Sequence, residues 1–186
     1  MTAGERMPPL HTPAMWITAA VTFTIWLAHA VLARLVASRL PERFPVHFDF
    51  AGEPDRWAAR GDTEWYVTVA LGGVLALGLT AFGLAFHRMP LRFVNLPGKQ
   101  RLLALPPERR PPVLRVAAWL LVLLGLLIAT TFASIQYLMY RTALLGWVES
   151  SIFAVLGLEF AALVGLVAGA TIAMRRRLRR ALDGPR

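Results

Sequence analysis

Residues 65–86 read WYVTVALGGVLALGLTAFGLAF, a run without a single charged side chain. About 20 apolar residues are enough to carry a helix across the hydrocarbon core of a bilayer. Trp65 and Tyr66 at the head of this run suit the lipid–water boundary, where amphipathic rings collect. Three more runs of this kind flank it, at about 15–36, 116–137 and 152–174. The chain has 186 residues, 56% of them hydrophobic, and a mean hydropathy of +0.53. That is too apolar for an ordinary water-soluble domain. The expected fold is all-α: an integral membrane bundle of four transmembrane helices, forming one membrane domain over residues 1–186.

The loops between the runs fix an expected orientation. Residues 87–115 carry Arg88, Arg92, Lys99, Arg101, Arg109, Arg110 and Arg115 against the lone acid Glu108. The tail, 175–186, opens with Arg175, Arg176, Arg177, Arg179 and Arg180. The loop at 37–64 is instead acidic on balance, and the short third loop holds Arg141 as its one basic residue. Basic loops stay on the cytoplasmic side. The prediction is a protein of the bacterial inner membrane, both termini cytoplasmic, with 40–64 outside as a small cap between the first two spans. The formal charge of +9 then reads as topology signal, and no nucleic-acid partner is expected.

Two features concern the first span. Pro13 sits near the helix start, where a missing N–H costs nothing. Ala28-His29-Ala30 has the small-x-small form of a leader cleavage site, but the preceding segment carries only Arg6 and the apolar run is long, which favours a retained span. Residues 1–14 read as a surface segment. In the second loop Leu102, Leu103 and Leu105 are expected to dip into the membrane surface.

The external loop carries most of the polar chemistry. Residues 41–57 read PERFPVHFDFAGEPDRW. Val46, Phe48 and Phe50 alternate with His47 and Asp49, the period of a short strand. Gly52 and Pro54 mark a turn that returns Glu53 and Asp55 towards His47 and Asp49. Trp57 fits the interface, and Asp62 is the expected N-cap of the second span. His47, Asp49, Glu53 and Asp55 include metal-ligand types, yet no zinc-type spacing accompanies them. No metal and no cofactor is expected, and with no cysteine there is no thiol site.

This stretch resembles the box of a bacterial membrane domain of unknown function found in SdpI-like immunity proteins, through Leu40, Pro41, Pro45, His47, Phe48, Asp49, Gly52, Asp55 and Trp57. Asn95-Leu96-Pro97, followed by Leu105-Pro106-Pro107-Glu108-Arg109, resembles the family's second box. Arg60 stands where a lysine often occurs in that family. The resemblance implies a non-enzymatic protein that senses, or confers immunity to, an extracellular peptide toxin, with the basic cytoplasmic loops recruiting a regulator.

Polar residues inside the spans complete the candidate site. Glu159 lies near the middle of the fourth span, where an ionisable group is costly unless paired, protonated or facing a cavity. His29 shares a helical stripe with Thr18, Thr22 and Trp26, while Thr130, Ser134 and Tyr137 form a stripe beside Gln136. The expected ligand site unites His47, Asp49, Asp55 and Trp57 of the cap with His29, Gln136, Tyr137 and Glu159 beneath it. His29 and Glu159 can equally bond each other or a backbone carbonyl to fix packing, and the hydroxyls their own helix carbonyls. No nucleophile–base motif is visible; the alternative function is a small proton-coupled transporter or a metal-dependent membrane enzyme. Finally, Gly157, Ala161, Gly165 and Gly169 place a small residue at every fourth position. Such a groove admits a close helix neighbour, either the Gly72-Ala76-Thr80 stripe of the second span or a second copy in a homo-oligomer.

Overall fold

A computed structural model describes residues 8–49 and 53–183. The described residues form five α-helices and one hairpin: α1 (Pro13–Val36), β1 (Arg43–Phe48), β2 (Pro54–Ala59), α2 (Val67–Leu84), α3 (Lys99–Ala104), α4 (Pro111–Leu145) and α5 (Ser151–Asp183). Short 3-10 turns join them. Four segments, built on α1, α2, α4 and α5, are long and apolar enough to cross a membrane. The fold is therefore an all-α membrane bundle, and the sheet is no more than a two-stranded antiparallel hairpin. Large apolar side chains such as Ile17, Val74, Leu158 and Phe160 stand exposed around the bundle, as lipid-facing positions do.

The helix starts follow local chemistry. Thr12 caps α1 by accepting the Met15 N–H at 3.3 Å, and Pro13 takes the first turn. Gly146 ends α4 in a left-handed conformation (φ 77°), its N–H donating to the Thr142 carbonyl. Asp62 does not cap the second span. Its carboxylate accepts the Ala59 N–H at 2.7 Å instead, closing the turn after β2.

α4 is the axis of the bundle. At 1.5 Å per residue its 35 residues run about 50 Å, well beyond a hydrocarbon core of about 30 Å. Hydropathy places the end of this span at about 137; the helix continues to Leu145 and supports the hairpin there. α5 likewise extends past Met174 through the arginines to Asp183.

Packing changes in kind along this axis. At the hairpin end lies a cluster of Ala33, Leu40, Phe44, Ala58, Trp65 and Met139. At the opposite, basic end lies a larger one that includes Leu10, Met15, Phe86, Leu102, Leu105, Leu114, Val122, Met174 and Leu178. Both clusters hold large apolar side chains. Between them, inside the bilayer, lipid is as apolar as protein, so association relies on close backbone approach. There Gly72, Ala76, Thr80 and Gly83 of α2 are buried. They face α4, where Gly125 lies against Ala76 and Thr80, and Phe132 against Gly72.

Three expectations change here. Leu102 and Leu105 are buried in the basic-end cluster, because α3 folds back against α4 and α5; Leu103 alone stays exposed. Pro8 and Pro9 are exposed as a surface segment would be, but Leu10 is fully buried in the same cluster and ties the segment down. The α2 stripe is filled by α4, so it does not occupy the α5 groove. Around Gly157, Gly165 and Gly169 an added Cβ meets nothing within 4 Å.

Candidate functional site

The hairpin is anchored by its inward side and polar on its outward side. Phe44 is fully buried and meets Trp65 edge-on, ring centroids 5.5 Å apart. The Trp65 indole N–H donates to the Ala33 carbonyl of α1 at 2.9 Å, which leaves neither ring nor N–H unsatisfied. Two register irregularities interrupt the ladder, between the Pro45–Trp57 and His47–Arg56 pairs and again before Phe48–Pro54. Val46 in one strand and Asp55 in the other have no cross-strand partner. Such bulges bend a strand and re-aim its side chains. Here they set His47 beside Asp55, with Nδ1 and Oδ1 2.6 Å apart.

The expected return of the chain is therefore present. His47 and Asp55 form an exposed pair, with side chains 60% and 46% accessible. It is an ion pair when the imidazole is protonated and a hydrogen bond when it is neutral. Asp49 closes the loop: its Oδ1 accepts the Glu53 N–H at 2.9 Å, and its own N–H donates to the Glu53 carbonyl at 2.9 Å. Trp57 lies opposite Pro45 and is 47% exposed. Phe50 and Gly52, read as alternation and turn, lie outside the described residues. Among the described residues no group of three or more His, Asp or Glu side chains is close enough to hold a metal ion.

Below the hairpin core the polar groups form layers. One turn beneath Ala33, His29 is buried, and its Nε2 faces the Gln136 Oε1 at 3.4 Å. The Thr68 hydroxyl of α2 donates to the same oxygen. One turn deeper, the Trp26 indole N–H donates to the Val69 carbonyl at 3.1 Å. These bonds tie α1, α2 and α4 together. Thr18, Thr22 and Thr130 bond carbonyls of their own helices. Gln136 Nε2 is buried without a protein partner.

His29 and Glu159 do not bond each other. Gln136 and Ser134 are two residues apart on α4, about 200° around the helix, so their side chains leave opposite faces. His29 meets the first. Glu159 of α5 meets the second, its Oε1 accepting the Ser134 hydroxyl at 2.9 Å, while its Oε2 is buried with no partner. Tyr137, one turn on from Ser134, is 60% exposed. Apart from exposed Tyr137, the expected residues thus fall into an exposed hairpin group, a buried α1–α2–α4 group and an α4–α5 group, with Phe44, Trp65 and Met139 of the hairpin-end cluster between the first two.

Three polar residues lie outside the expected site set. Thr68 completes the buried group; it is one of only two hydroxyl residues in the helical part of the charge-free run, which was its signal. Arg141 and Glu149 form a two-bond pair at 2.8 and 3.1 Å across the end of α4 and the start of α5. The hydrogen bonds from Arg141 hold the Glu149 carboxyl below its ordinary value.

A family described as a domain of unknown function (DUF1648) matches residues 23–64. The match runs from the middle of α1 through the hairpin to the 3-10 turn that carries Trp65 at its next residue. It covers the hairpin and its α1 support, and it does not reach the second box at 95–109. No curated protein and no solved structure matches the chain. The protein is a multi-pass, membrane-embedded helical chain carrying a domain of unknown function.

Proposed function

We propose that this is a non-catalytic protein of the bacterial cytoplasmic membrane, of SdpI-like type, whose external hairpin senses or confers immunity to a peptide toxin. One observation carries the reading. Phe44 and Ala58 anchor the hairpin inward, yet His47, Asp55 and Trp57 stand exposed on a frame bent by two bulges. A cap that only sealed the bundle has no use for them. Among the described residues β2 pairs only with β1, which offers its other edge to a peptide strand, with side-chain groups beside it to set specificity. The basic loops and tail offer the other side of the membrane to a regulator.

The test is survival. A strain lacking the gene is challenged with membrane-active peptide toxins and complemented by wild type, His47→Ala or Asp55→Ala. Wild type is expected to protect, and both variants to fail at equal membrane abundance. Equal protection by all three overturns the proposal. Orientation is checked separately in this cysteine-free chain. A cysteine at Glu53 is expected to react with an impermeant maleimide in intact cells, and one at Gln100 only after lysis. Labelling at Gln100 alone would invert the topology.

A second reading, a small proton-coupled transporter, rests on Glu159, whose Oε2 has no partner inside a span. Glu159→Gln keeps shape and hydrogen-bonding capacity but removes titration. Under the first reading it protects like wild type; under the second it abolishes function with the fold intact.

A further inference from the structure

At the basic end, α3 and the end of α5 enclose a cleft of about 360 Å³ lined by Arg101, Arg175 and Arg179, with Gly98, Leu178 and Leu182. We propose that this cleft binds the phosphodiester headgroup of an anionic phospholipid.

Four observations support the site. Its depth is right: the apolar part of α5 ends at Met174, so Arg175 begins where the helix leaves the hydrocarbon and meets headgroups. Its charge is uncompensated: among the described residues the ion pairs join His47 to Asp55 and Arg141 to Glu149, so neither involves these arginines. Its chemistry is selective: guanidinium forks match phosphate oxygens in pairs, where an ammonium offers only a point charge. Its frame is rigid. Leu178 is buried in the same cluster as Leu102 and Leu105, and Gly98 (φ +75°) approaches α5 so closely that an added Cβ would stand 2.8 Å from Leu178 Cδ2.

The helix periodicity separates this cleft from a merely basic tail. Arg175, Leu178, Arg179 and Leu182 recur at spacings of three and four, so they share one face of α5. Arg176, Arg177 and Arg180 do not line the cleft. The cleft thus offers three cations to a headgroup and two leucines to the start of an acyl chain. Basic pockets of this kind beside membrane helices hold anionic headgroups.

The contrast between the two sets of arginines supplies the experiment. Native mass spectrometry of the detergent-solubilised full chain would follow binding of phosphatidylglycerol and phosphatidylcholine. The wild type is expected to take phosphatidylglycerol in preference. Arg101→Gln/Arg175→Gln/Arg179→Gln should weaken it by roughly tenfold or more, the loss expected from removing charge-assisted hydrogen bonds. Arg176→Gln/Arg177→Gln/Arg180→Gln removes the same charge and should change binding by less than about threefold. Equal loss in both triple variants would mean diffuse attraction and overturn the site, as would equal binding of the two lipids. Thermal unfolding of each triple variant shows whether the fold has survived. Inorganic phosphate tests the source of the anion. At millimolar concentration it is expected to leave the lipid bound; displacement at micromolar concentration would assign the cleft to free phosphate instead.

Discussion

Gly125→Leu is expected to prevent α2 and α4 from closing and so to unfold the bundle. A bare Cβ at this position would already stand 2.6 Å from the Ala76 carbonyl oxygen and 3.2 Å from the Thr80 nitrogen. Both are backbone atoms of α2, so no rotamer change relieves the clash. Overpacking a close-packed interior costs typically about 1–3 kcal/mol, and occasionally more. Gly125→Ala should sit in that range and Gly125→Leu above it. The paired control is Gly165→Leu on α5, where a Cβ meets nothing within 4 Å. It should change stability by no more than about 0.5 kcal/mol. Thermal unfolding followed by tryptophan fluorescence in one detergent compares all three. Wild-type melting of Gly125→Leu would show that α2 and α4 do not meet as described. A shift of oligomeric state in Gly165→Leu, without loss of stability, would report on a partner copy alone.

The same pair shows what could be read from sequence. Two small-residue stripes are visible, 72–76–80 and 157–161–165–169, and spacing alone says that each is a groove. It does not say which groove is filled. Gly125 and Phe132 on α4 decide that, and both look unremarkable in an apolar run. The spans were legible because lipid demands an unbroken apolar stretch. Their ends were not: α4 continues to Leu145 because Met139 and Thr142 are buried at the hairpin end, where hydropathy has already fallen. In the hairpin, alternation from Val46 predicted a strand, and the return of Asp55 to His47 followed from the turn. Phe44, which anchors it, precedes the alternating run and carried no signal. The bulges that pair His47 with Asp55 depend on cross-strand register, which no local pattern encodes. The separation of His29 from Glu159 was legible in principle, since residues two apart on one helix face opposite ways. Uniting His29, Gln136, Tyr137 and Glu159 in one expected site overlooks that opposition.

Phe44→Ala is expected to release the hairpin while leaving the spanning bundle in place. Phe44 is fully buried, and truncating a buried phenylalanine costs about 3–5 kcal/mol. Its contacts are with Trp65 and the hairpin-end cluster, whereas the α2–α4 seam lies several turns away and rests on separate contacts. Distant, independent sites add rather than couple. Trypsin in mild detergent reads the result, because Arg43, Arg56 and Arg60 all lie in or beside the hairpin. Cleavage there should accelerate strongly in Phe44→Ala, with little change in the α-helical signal. His47→Ala should cleave like wild type, because its exposed pair with Asp55 contributes no more than about 1 kcal/mol. The two variants then separate anchoring from recognition. Loss of protection in Phe44→Ala alone assigns the hairpin a structural role and leaves its outward residues without function. Loss in both, with His47→Ala resistant to trypsin, places recognition at the His47–Asp55 pair. Full protection by a Phe44→Ala protein whose hairpin is demonstrably cut would remove the hairpin from the function altogether.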